Sequence, residues 1–307
     1  MKKDISIVVF ANAKDFFLTK ICVASIRHFY PEIELFLVKD ELNGKFSSKS
    51  LEQRFNVKQI NLAQRYFGWS AAKLHFLLEC NEDRLFLCLD SDIVFIGPVL
   101  NKFKNTTSDY IVSPEYYELT QIVKDIFIDP ELAVKYYPSY VYPGYFFNAG
   151  QTVVNPSKIL SSDLSQVFDQ YKYPYYKDYN SFKTVDQAIL NALLPSLFAE
   201  KRIKLQAIEF FKGSVFLTEI ENNTIEILEK KQEYLIHWAG DIRTIKLNKM
   251  VGYAVLNFFQ SSYEERLGFF EKIYHNYQNI LNSISILTKV KLKRNRLKIE
   301  INKFCKQ

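Results

Sequence analysis

Ile5-Ser6-Ile7-Val8-Val9-Phe10-Ala11 is an apolar run rich in β-branched residues; Phe17 to Phe29 follows with apolar residues at helical spacing, and Ile33 to Val38 supplies a second apolar run. The order is strand, helix, strand. Strands that are apolar on both faces and joined through a helix belong in a mainly parallel sheet covered on both sides, so the chain reads as an α/β protein. Further along, Val57 to Leu62 reads as a weaker strand, Ser70 to Cys80 as a helix with Ser70 at its N-cap, and Arg84 to Leu89 as another buried strand.

That last strand delivers Asp90-Ser91-Asp92, and a further apolar run, Ile93 to Ile96, follows at once. Two carboxylates at the end of a core strand need compensation, because an unpaired buried carboxylate costs several kcal/mol. A divalent cation is one of the few partners able to hold both in their ionised form. An acid-x-acid triplet elsewhere would be an ordinary solvated turn. The strand ahead of this one makes it the first candidate for chemistry.

Composition sets the frame. The 307 residues are 48% hydrophobic and 16% aromatic with few Gly or Pro, enough for a substantial core in one large domain and unlike a disordered or fibrous chain. Met1-Lys2-Lys3-Asp4 leads into a short apolar run that reads as the first strand, not a signal peptide. No stretch approaches the roughly 20 apolar residues of a membrane-spanning helix. Cys22, Cys80, Cys88 and Cys305 show no CxxC pairing, and the four histidines are scattered, which argues against a structural zinc site and for a reducing cytoplasm.

The net charge of +6 is concentrated at one end. Residues 288–307 carry eight Lys or Arg and one Glu, leaving 32 basic and 33 acidic side chains in the remainder. Lys289, Lys291, Lys293, Arg294, Arg296, Lys298, Lys303 and Lys306 alternate with Val290, Leu292, Leu297, Ile299 and Phe304. Such a tail suits peripheral contact with an anionic membrane, and it is equally compatible with a solvated helix face.

Between Tyr116 and Tyr145 the sequence is Tyr- and Pro-rich and reads as irregular structure. Strand character returns at Gln151 to Val154, a helix is expected from Pro156 to about Tyr171, and another from Thr184 to Leu194. Strands are expected at Ile203 to Ala207 and Tyr234 to His237, and helices from about Asn248 to Gln260 and Ser262 to Leu281. The expected domain boundary lies near residue 243, between an α/β body (1–243) and a helical, increasingly basic extension (244–307).

Four elements of the body fall in order: Asp90-Ser91-Asp92; Phe147-Asn148-Ala149-Gly150; Asp186-Gln187; and His237-Trp238-Ala239-Gly240-Asp241-Ile242-Arg243. Over roughly residues 4–243 the chain resembles the family 8 glycosyltransferases, retaining enzymes of the GT-A fold related to glycogenin and to bacterial lipopolysaccharide galactosyl- and glucosyltransferases. The resemblance implies a GT-A nucleotide-sugar-binding domain. It also implies that Asp90, Asp92 and His237 bind Mn²⁺ or Mg²⁺ against the diphosphate of a UDP-sugar; carboxylate oxygens suit both ions, and an imidazole tilts preference towards Mn²⁺. Taken alone, His237 would read as a core histidine.

The remaining assignments follow from the same resemblance. Ala11, Asn12 and Asp15, in Phe10-Ala11-Asn12-Ala13-Lys14-Asp15-Phe16, match the uridine-binding turn. Lys73 matches a basic residue that reaches the donor, and Ser91, Asn148, Ala149 and Gly240 match residues lining the donor site. Asp186 and Gln187 match the pair beside the anomeric carbon. Arg243 stands where the family usually has Lys and can donate to a phosphate in a bidentate fashion. The Pro-Trp that commonly follows is replaced here by Thr244-Ile245, a departure that leaves the closing geometry of this loop open.

The expected partners are thus a UDP-sugar donor, a glycan or glycolipid acceptor for which the Tyr clusters offer flat faces, and the inner membrane surface through the tail. A role in surface polysaccharide or lipopolysaccharide assembly fits, and nucleic acid is not an expected partner. Two other classes compete with this reading. A sugar-nucleotide pyrophosphorylase normally opens on a Gly-rich phosphate loop, and residues 8–16 contain no glycine. A non-catalytic carbohydrate- or nucleic-acid-binding module would have no metal-dependent turnover of a UDP-sugar.

Overall fold

The computed structural model describes residues 5–68, 70–218, 228–241, 244–269 and 271–272. Its centre is a seven-stranded sheet built from β1 (Ile5–Asn12), β2 (Leu35–Asp40), β3 (Val57–Gln59), β4 (Leu85–Asp90), β6 (Tyr110–Glu115), β7 (Phe146–Val154) and β8 (Leu205–Ala207) in the order β3-β2-β1-β4-β7-β6-β8. All pairs are parallel except those β7 makes with β4 and β6. The mainly parallel α/β architecture expected from the first βαβ unit is the one observed.

Period-two alternation divides the apolar side chains of the central strands between two cores. Ile7, Val9 and Ala11 of β1 and Leu85, Leu87 and Leu89 of β4 face one side, where they meet α1 (Phe16–Phe29). Val8, Phe10, Phe86 and Cys88 face the other, against α3 (Ala71–Glu79) and α7 (Asp186–Ala199). The first of these layers is completed by α8 (Tyr253–Glu265), which supplies Val255, Leu256, Phe259 and Tyr263 and packs on α1. The part of the C-terminal segment that is described, through residue 272, therefore shares a core with β1 and α1.

A second, three-stranded sheet decides where the acidic triplet points. Here β5 (Ile93–Phe95) pairs antiparallel with β10 (Leu235–His237), which also pairs parallel with β9 (Phe211–Gly213). The register sets His237 opposite Ile93, and Trp238 N–H donates to the Asp92 carbonyl at 3.2 Å.

Several local expectations are corrected. The helix expected from Pro156 to Tyr171 is a single 3₁₀ turn at Pro156–Lys158 followed by a four-residue helix, α6 (Ser161–Leu164). Polar side chains break it: Ser157 Oγ bonds Asn155 Oδ1 at 2.9 Å, and Asp163 accepts from Leu160 N–H at 2.8 Å and pairs with Arg202 at 2.6 Å. The supposedly irregular Tyr-rich stretch holds α4 (Gln121–Ile126), capped by Thr120, and α5 (Pro130–Tyr136), capped by Asp129 with proline in the first turn. Strand β6 escaped notice because Pro114 interrupts it, and the register shifts at that point. The remaining short helix, α2 (Lys49–Phe55), follows β2. Arg243, Trp69, the end of the last expected helix and the basic tail lie outside the described residues.

Candidate active site

A cleft of about 470 Å³ opens at the C-terminal ends of β1, β2 and β4, where open α/β sheets offer their loop crevice. Among its lining residues are Ala11, Asn12, Asp15, Lys73, Asp90, Ser91, Asp92, Asn148, Ala149, Asp186, Gln187, His237 and Gly240. The fold thus gathers into one cavity every site residue expected from the sequence except Arg243.

The acidic triplet forms one end. Asp90 is the last residue of β4 and lies beside Phe10 in the parallel register. Asp92 is buried two residues beyond. His237 approaches from the second sheet, its Nε2 3.3 Å from Asp92 Oδ1 and 3.9 Å from Asp90 Oδ2. One ligand atom from each of the three lies within 4.8 Å of the others, and His237 Nδ1 has no hydrogen-bond partner among the described residues. Two carboxylates and an imidazole at this spacing fit a divalent cation with mixed oxygen and nitrogen ligands.

Gly150 explains how the imidazole comes so close. An added Cβ there would stand 2.4 Å from His237 Cε1 and 2.8 Å from both Asp90 Oδ2 and Asn148 Oδ1. Only a residue without a side chain leaves room. Asn148 Oδ1 in turn accepts from Gly150 N–H at 2.7 Å, which holds the Asn-Ala-Gly segment in shape.

A buried charge cluster forms the other end. Lys73 Nζ lies 2.6 Å from Asp90 Oδ1 and 3.3 Å from Asp186 Oδ2, and donates to the Ala149 carbonyl at 3.0 Å. Burial disfavours the Lys73 ammonium, yet Asp90 and then Asp186 hold its pKa above the ordinary lysine value. Burial raises the Asp186 pKa, with Lys73 opposing. The two carboxylates keep the lysine charged. On an isolated helix Lys73 would be solvated surface; here α3 packs beneath the cleft and turns it inward.

The local backbone aims these groups. Ser70 occupies the N-cap position of α3 at φ +72° without a side-chain capping bond, and it lines the cleft beside Asp186, whose pKa it helps to hold down. Val185, a β-branched residue at φ +57°, precedes α7, a conformation that stores about 1–3 kcal/mol of strain and recurs at functional sites. Thr184 does not cap α7; its hydroxyl donates to the Ile126 carbonyl at 2.6 Å, and Gln187 Nε2 donates to the same oxygen at 2.9 Å. At the opposite wall Asn12 Oδ1 accepts from Lys14 N–H at 2.8 Å, and Asn12 Nδ2 donates to Asp15 at 3.3 Å.

The cleft also contains residues that the sequence reading passed over. Asp40, at the end of β2, accepts from the N–H groups of Leu42 and Phe67 at 2.9 and 3.1 Å, and burial raises its pKa. Its signal was the same as that of Asp90: an acid closing a parallel strand. Gly150 belonged to a motif that was recognised but carried no role of its own. Outside the lining of the cleft, Glu115 at the end of β6 has a carboxyl whose pKa is raised by burial, and it accepts from the Tyr117 hydroxyl at 2.7 Å.

No protein-family model matches the chain, and neither does any curated protein sequence. Among solved structures it is similar to the WbbM bifunctional glycosyltransferase in its apo form, with 16% identity and a TM-score of 0.54 over 85% of this chain and 50% of that one. The galactosyltransferase LgtC, in complex with donor and acceptor sugar analogs, follows at 15% identity and a TM-score of 0.48, covering 84% of this chain and 95% of that one. The glycosyltransferase GlyE of Streptococcus pneumoniae TIGR4 gives 12% and 0.49, over 85% and 63% of the two chains. The chain spans about half the length of WbbM. It has the α/β fold of a glycosyltransferase, of the GT-A type expected from its sequence.

Proposed function

We propose that the protein is a metal-dependent, retaining hexosyltransferase of the family 8 type, transferring a hexose from a UDP-sugar to a glycan or lipid-linked glycan acceptor. The observation that carries this reading is the convergence of Asp90, Asp92 and His237 within 4.8 Å in the cleft that also holds the Lys73–Asp186 pair. In this reading Asp90, Asp92 and His237 hold Mn²⁺, or Mg²⁺, which when bound neutralises the diphosphate leaving group. Ala11, Asn12 and Asp15 take the nucleoside at the β1 wall. Ser91, Asn148, Ala149 and Gly240 line the donor, and Arg243 adds a phosphate contact.

Lys73 is charged and fixed before substrate arrives, so its field costs no reorganisation when negative charge grows on the leaving group. Asp186 binds a sugar hydroxyl, and Gln187 lies at the anomeric face. The acceptor oxygen bonds to the anomeric carbon on the face from which the diphosphate departs, and the acceptor proton passes to the departing diphosphate oxygen. Retention of configuration follows from that single-faced exchange.

We assign the catalytic residues to 1–243, with 244–272 buttressing α1, and the basic tail to contact with the anionic inner face of the membrane of a cytoplasmic, surface-polysaccharide-building enzyme. Among the described residues no helix is long and apolar enough to cross a membrane. The test is UDP release from UDP-glucose, UDP-galactose and their N-acetyl counterparts, with and without Mn²⁺. Turnover that needs the ion and disappears in Asp90→Asn and Asp92→Asn is expected. Pyrophosphate release from UTP and a sugar-1-phosphate, or no turnover across the panel, overturns the reading.

A further inference from the structure

An apolar surface that the core does not use runs outward from the cleft. Tyr116, Leu119 and Ile122 are 73, 45 and 72% exposed, Ile126 is 42% exposed, and α4 buries none of its residues. Ile122 and Ile126 are one helical turn apart and share a face, while Val123 packs against the core. Exposed apolar side chains gathered on one helix and the segment that leads into it, beside a cleft, mark interaction sites.

Position in the fold says what the strip meets. Ile126 itself lines the cleft, and its carbonyl is pinned by Gln187 Nε2 and Thr184 Oγ1. The strip therefore starts beside the residue assigned to the anomeric face and leads away from it. Its charge decides between partners. Lys124 pairs with Asp129 at 3.2 Å and Lys183 with Asp125 at 2.8 Å, and Glu118 adds a further negative charge. A surface whose cations are already paired and which carries an extra carboxylate suits an uncharged apolar chain, not the phosphates of an anionic bilayer.

Resting on the hexosyltransferase reading, we infer that the acceptor is amphipathic: its sugar lies at Gln187, and a long uncharged apolar chain attached to that sugar runs along Ile126, Ile122 and Leu119. The strip is then the aglycone subsite of the enzyme.

The experiment is calorimetry on the full chain with UDP and Mn²⁺ present, titrating octyl β-D-glucoside below its micelle concentration and, separately, methyl β-D-glucoside. The octyl compound is expected to bind at least about tenfold more tightly, the value of burying one large apolar side chain. Ile122→Gln combined with Leu119→Gln should remove that advantage, and these exposed positions leave the core intact. Phe198→Gln should preserve it: this exposed side chain is at the far end of α7, about 18 Å from Asp186.

Equal binding of the two glucosides, or an octyl advantage that survives in the double variant, overturns the inference while the donor reading stands if UDP and Mn²⁺ still bind. Failure of UDP and Mn²⁺ to bind overturns both. Loss of binding to phosphatidylglycerol vesicles in the double variant would assign the strip to the bilayer and likewise overturn the aglycone subsite.

Discussion

Gly150→Ala tests the cation centre with a single methyl group. Gly150 lies within β7, so the substituted backbone stays an ordinary strand and the whole effect falls on the neighbours. The new Cβ would be 2.4 Å from His237 Cε1 and 2.8 Å from Asp90 Oδ2, whereas carbon atoms in contact prefer about 3.5–4.0 Å. The imidazole must retreat by about 1 Å, yet it is buried and held by the register of β10 on β5. Overpacking of this kind costs about 1–3 kcal/mol. Where that cost is expressed as displacement of His237 and Asp90 from a shared ion, affinity falls about 5- to 150-fold.

The assay is calorimetric titration of Mn²⁺ into the wild-type and alanine proteins, with thermal unfolding recorded on both to separate a lost ion from a lost fold. Weaker Mn²⁺ binding with cooperative unfolding preserved is expected. Unchanged Mn²⁺ affinity in Gly150→Ala would refute the reasoning, because a centre that tolerates a methyl group at 2.4 Å from its histidine is not built as described.

Three further outcomes are expected. Lys73→Met leaves the buried Asp186 without its counter-charge and should cost about 3–5 kcal/mol in urea unfolding; a loss under about 1 kcal/mol would show that the pair is not buried as a unit. Arg27, buried in the last turn of α1, donates to the carbonyls of Phe55, Tyr30, Ile33 and Asn56, so Arg27→Met should cost roughly 3 kcal/mol or more by the same measurement, and a neutral result would contradict that network. Burial lowers the Lys20 pKa to about 8 against the ordinary 10.5, with Glu264 opposing. Between those values the unfolded chain binds more protons, so this group's contribution to stability rises with pH. The difference in stability between wild type and Lys20→Met should change in that direction from pH 8 to pH 10, and a difference independent of pH would refute it.

The fold was legible where strands are long and apolar on both faces. Ile5 to Ala11 and Arg84 to Leu89 needed nothing beyond composition and period. Short or interrupted elements were not legible: β6 contains Pro114, β9 has three residues, and α4 and α5 lay inside a Tyr- and Pro-rich stretch despite the capping signals of Thr120 and of Asp129-Pro130. The expected helix after Pro156 failed because Asn155, Ser157 and Asp163 gave the backbone local alternatives.

For the candidate site, sequence by itself determined which chemistry is present: two acids closing a buried strand, and the residue types of Asn148, Asp186, Gln187 and His237 in an order that resembles a known family. Only tertiary structure decided what those groups do to one another. A lone histidine reads as core, and antiparallel pairing of β10 with β5 is what sets it against Asp92. A lysine on a helix reads as surface, and packing of α3 against the sheet buries Lys73 between Asp90 and Asp186. The physical reason is that local sequence sets propensity and burial, whereas the distance between two charges distant in sequence depends on strand register and helix packing, which no local pattern contains.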